Sequence, residues 1–72
     1  MSPSTRERVL GIELALPSIR EAIDHLRLAM HWLSGTALGA LRADVASLEA
    51  RVDQLTRLAA ALREREEEEV EA

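Results

Sequence analysis

The sequence predicts an all-α fold, an antiparallel helical hairpin that assembles as a homodimer into a four-helix bundle. Three observations predict it. Apolar residues recur at alternating spacings of three and four along both halves of the chain. The halves are out of phase, with Ser34-Gly35-Thr36 between them. The composition, rich in Leu, Ala, Arg and Glu and with Trp32 as its single aromatic, suits helices rather than sheets. At 72 residues and 47% hydrophobic, the chain is too apolar for disorder and too short for more than one small domain. It has no cysteine, so packing alone must hold it.

The first helix is expected over about residues 5–33. Ser4-Thr5-Arg6-Glu7 reads as a capping box, and Val9, Ile12, Leu16, Ile19, Ile23, Leu26, Met30 and Leu33 follow as one uninterrupted seam. Pro17 lies within it and costs a helix interior about 3 kcal/mol, so the helix should be kinked or broken there. Ser18-Ile19-Arg20-Glu21 offers a second capping box for the broken alternative.

The turn is expected at residues 34–36, where Gly35 can adopt the left-handed conformation and Ser34 or Thr36 can cap the next helix. The second helix, about residues 36–65, carries Leu38, Leu41, Val45, Leu48, Val52, Leu55, Ala59 and Leu62 on its seam. Each segment would be about 45 Å long at 1.5 Å per residue, a length matched for folding back. Beyond Leu62 the seam positions become Glu66 and Glu69, so residues 66–72 are expected as an acidic, fraying tail to a hairpin domain over residues 1–65.

Leu10, Leu14, Leu28 and Trp32 lie off the first seam and Leu58 off the second. They are read as surplus apolar surface that one partner helix cannot shield, hence as a partner surface. Small single cores rarely supply more than about 3–5 kcal/mol, and self-association would supply the remainder. A parallel zipper of the second helix is disfavoured, because Asp44 would face Glu49 of the partner.

Chemistry is not evident. His25 and His31 are six residues apart and do not share a helix face; Glu21 and His25 do, but a carboxylate-bridged metal bundle needs Glu-x-x-His, and residue 22 is Ala. No nucleophile elbow or phosphate loop occurs, so the expectation is no enzyme, no metal and no cofactor. Gly35-x-x-x-Gly39 reads as turn geometry. The stretch free of Asp, Glu and Arg, Leu28 to Leu41, falls short of the about 20 residues that span a bilayer. With no targeting segment evident, the expected compartment is the cytoplasm.

The formal charge of -4 is unevenly placed. Six of the thirteen acids lie between Glu64 and Glu71, and the chain up to Arg63 is slightly basic. All nine cations are arginine, but they form no basic stripe and several alternate with acids, as Asp53 with Arg57 and Arg63 with Glu67 do. That placement argues against nucleic acid. The leading functional expectation is a small non-enzymatic interaction module that self-associates and binds a protein. One alternative is an acidic stoichiometric inhibitor, phage- or antitoxin-like, using the C-terminal Glu run as a charge mimic. Another is a designed or generated bundle with no natural partner.

Overall fold

A computed structural model describes residues 3–71, with side chains through Glu69. Met1, Ser2 and Ala72, which belong to the expected domain and tail, lie outside the described residues. Two helices, α1 (Thr5–Met30) and α2 (Gly35–Glu71), pack against each other as an antiparallel hairpin. Thr5 and Glu69, from opposite ends of the sequence, meet through a 3.1 Å side-chain hydrogen bond.

Local chemistry accounts for where α1 starts and stops. The Ser4 hydroxyl accepts from the Glu7 backbone N–H at 3.1 Å and itself donates to the Glu7 carboxylate, so this capping sequence forms a cap. The second one does not. Residues 18–21 lie inside a continuous helix, so of the two readings of Pro17, a kink or a break, the break is corrected. Pro17 is exposed on the outer side of α1, while Leu16 before it and Ile23 after it are both buried against α2. Anchoring on either side offsets the missing backbone donor.

The turn comes earlier than the sequence suggests. α1 ends at Met30, and the next three backbone N–H groups, of His31, Trp32 and Leu33, donate to carbonyls three residues back, the tight pattern that closes a helix end. Leu33 therefore sits in the turn at 38% exposure instead of on the seam. Among the described residues Gly35 alone has a positive φ, +62°, and α2 starts there. No heavy atom would crowd a Cβ at Gly35, so glycine is required for its backbone angle and not for space.

α2 remains helical to Glu71, past the end expected from the loss of apolar seam residues. Glutamate is a good helix former, Glu66 is half-buried, and Glu69 accepts the Thr5 hydrogen bond. Those contacts carry the helix beyond its apolar stripe.

The core is one ribbon along the seam. Numbering α1 so that Val9, Leu16, Ile23 and Met30 are heptad a positions and Ile12, Ile19 and Leu26 are d, and α2 so that Leu38, Val45, Val52 and Ala59 are a and Leu41, Leu48, Leu55 and Leu62 are d, buried residues concentrate at a. They are Val9, Leu16, Ile23, Val45 and Ala59, joined by Leu62 at d. Large residues of α1 meet small ones of α2: Leu16 shares a cleft with Ala59, and Ile23 one with Val52. The other d residues stay half-buried, and among the described residues no large side chain is completely sealed.

Candidate functional site

Antiparallel pairing gives the hairpin two long edges. At one, the e positions of both helices meet; at the other, the g positions do. The register is set by Thr5 with Glu69 and by two ion pairs, Glu13 with Arg63 and Arg27 with Glu49, the latter at 3.0 Å. Both ion pairs join e positions.

The e edge is thus closed by charge. Arg63 reaches Glu13 across a cleft of about 260 Å³ lined by Leu16, Thr56, Ala59 and Ala60. Arg27 reaches Glu49 across one of about 360 Å³ that also holds Arg20, Asp24 and Asp53. Beneath these bridges lie the buried a residues. The Thr56 hydroxyl donates to its own helix, to the Val52 carbonyl at 2.8 Å.

The g edge is not bridged, and one end of it is apolar. A groove of about 460 Å³ runs between Arg8, Gly11, Ile12 and Ala15 of α1 and Leu55, Leu58 and Leu62 of α2, with one charged residue among its walls. Stepping by sevens along the same edge, Ala15 is followed by Ala22 and Ala29, both exposed. On α2 the corresponding series is Ala37, Asp44, Arg51, Leu58 and Arg65. Of the half-buried d residues, Ile12 and Leu55 line this groove, and heptad geometry places Ile19, Leu26, Leu41 and Leu48 on the same side of the seam. An alanine line leaves the backbone of α1 close to the surface, where a neighbouring helix could approach closely.

Leu58, at 49% exposure, belongs to this groove. The other four surplus apolar residues do not. Leu10, Leu14 and Leu28 occupy b and f positions and Trp32 lies in the turn, on the side of α1 turned away from α2. Leu14 and Trp32 are each 76% exposed. Heptad geometry places b and f away from the a/d stripe, so they form a second, discontinuous stripe interrupted by Glu21 and Asp24. The ion-paired e edge escaped sequence reasoning, because its partners lie on different helices and the register that joins them depends on the turn.

Among the described residues no three His, Asp or Glu side chains cluster to hold a metal, and no buried side-chain polar atom lacks a partner. His25 lies 3.9 Å from Glu21 with both side chains largely in water, a solvated i, i+4 pair. His31 meets Trp32 edge-on at 6.2 Å between ring centres. No helix among the described residues is long and apolar enough to cross a membrane. Comparison of the chain with protein-family models, with curated proteins and with solved structures matches none of them.

Proposed function

We propose that this chain is a small non-enzymatic helical module that self-associates through its g edge, forming a homodimeric four-helix bundle that binds a protein partner. The observation that carries this reading is the contrast between an edge bridged by two ion pairs and an edge left as an apolar groove. Burying that groove against a second copy removes Ile12, Leu55 and Leu58 from water, at about 25 cal/mol per Å². A hairpin whose core has no completely sealed large side chain has much to gain from that. The outer stripe of Leu10, Leu14, Leu28 and Trp32 stays free in such a dimer and is the surface offered to a different protein.

Two acids of the C-terminal run have structural contacts, Glu66 half-buried and Glu69 bonded to Thr5. This supports the interaction reading over charge mimicry. Size-exclusion chromatography with light scattering tests the proposal. A species of twice 8.0 kDa is expected at micromolar concentration, reverting to monomer in the Leu58→Asp variant. A wild-type chain that stays monomeric at high micromolar concentration would end the self-association reading.

A further inference from the structure

The charges along the g edge select how the second copy sits. We infer that it lies with α1 antiparallel on α1 and α2 antiparallel on α2, about a two-fold axis perpendicular to the helices that passes beside Ile19 and Leu55. This rests on the reading that the chain self-associates through its g edge, and adds to it the orientation and the contacts.

Two arrangements cover the whole edge. In the first, each α1 lies on the partner's α2. The hairpin's own register then brings Arg8 opposite the partner's Arg65, a like-charge contact made twice by symmetry, and sets Asp44 and Arg51 against alanines. In the second, each helix lies on its own counterpart. Asp44 then faces the partner's Arg65, again twice, and Arg51 lays its aliphatic stem on the partner's Leu58. Ala15 meets the partner's Ala22 on the other helix, two small residues that permit close approach. No like charges oppose each other.

The apolar ladder agrees with the same axis. Ile19 and Leu55 lie at one height of the hairpin, and both would sit beside their own copies. Ile12 then falls on the partner's Leu26, and Leu48 on the partner's Leu62, so the half-buried d residues cover one another in register. One axis position satisfies both helices because the hairpin's register already aligns them. A register one heptad nearer the turn would pair Asp44 with the partner's Arg51 but would leave the groove at Ile12, Leu58 and Leu62 largely uncovered. The full register uses the length of a molecule 56 Å long and 20 Å wide, which accommodates the roughly 800 Å² per partner of a stable interface.

Asp44 and Arg65 are both exposed and lie three heptads apart on one helix, too far to interact within a chain. A charge exchange between them therefore reports contact between chains. In sedimentation equilibrium at low salt, D44R alone and R65D alone should each raise the dimer dissociation constant about five- to tenfold. The double variant D44R/R65D should return it to within about twofold of wild type, and high salt should flatten all the differences. Circular dichroism should show the same helical content throughout. Failure of the double variant to recover, or recovery by D44R/R51D in its place, would overturn this orientation while leaving self-association intact. A monomeric wild type would overturn both.

A second variant gives an independent reading. Ala15→Cys combined with Ala22→Cys introduces the chain's only thiols, two helical turns apart on one face and beyond the reach of a disulfide within one chain. Mild oxidation should convert the protein to a covalent dimer. Persistence of the uncrosslinked chain would count against the α1-on-α1 contact.

Discussion

The e edge and the g edge of the hairpin are built from the same two helices, and they differ in what a charged side chain finds across the gap. At the e edge, Glu13 finds Arg63 and Arg27 finds Glu49. At the g edge, Ala15, Ala22 and Ala29 offer nothing to pair with Leu58, Arg51 and Asp44. The residues beneath follow suit: the a positions on the ion-paired side include five buried residues, whereas most d positions on the open side remain half-exposed. Exposed ion pairs contribute only about 0–1 kcal/mol each, so the two bridges fix the register of the e edge more than they stabilise it. The open edge holds the groove lined by Ile12, Leu55, Leu58 and Leu62.

Variants can break or sharpen that contrast. The largest effect is expected from Ile23→Asp, which places a charge at a 5% exposed a position; several kcal/mol exceeds what a core of this size supplies, and circular dichroism should show an unfolded chain. Leu48→Asp, at a half-buried d position, should be comparably severe if the g edge is covered in solution; a cooperative melt retained in dilute protein would place Leu48 outside any core. Gly35→Ala forces a side chain into the left-handed region and should lower stability by about 1–2 kcal/mol, read as a lower urea midpoint at unchanged slope. Ser4→Ala removes the α1 cap at a cost of about 1 kcal/mol. Arg63→Ala, at the e edge, is expected to cost under about 1 kcal/mol and to lose its effect in concentrated salt; a larger, salt-independent loss would mean that packing of the Arg63 stem dominates.

The hairpin itself was readable from the sequence because the three-four spacing survives across Pro17 and because the phase shift coincides with a glycine. Helix ends were less readable. Ser4-x-x-Glu7 and Ser18-x-x-Glu21 look alike as strings, and the deciding difference is tertiary: Leu16 and Ile23 are held by α2 on both sides of the second one. Leu33 fits the spacing but lies beyond the point where the backbone tightens. The two edges could not be told apart from one helix at a time. Glu13 and Arg63 are fifty positions apart in the chain, and only the length of the turn decides that they meet. Likewise, Leu10, Leu14, Leu28 and Leu58 are equally surplus by composition, yet Leu58 borders a groove and the others look outward.

Trp32 is the only fluorophore of note in this chain, and in the folded hairpin it already stands mostly in water. Its emission should hardly change when the helices melt, so a fluorescence trace would miss unfolding altogether. The same insensitivity makes it a clean sensor: any blue shift or loss of quencher access at Trp32 reports that another molecule has arrived at the turn.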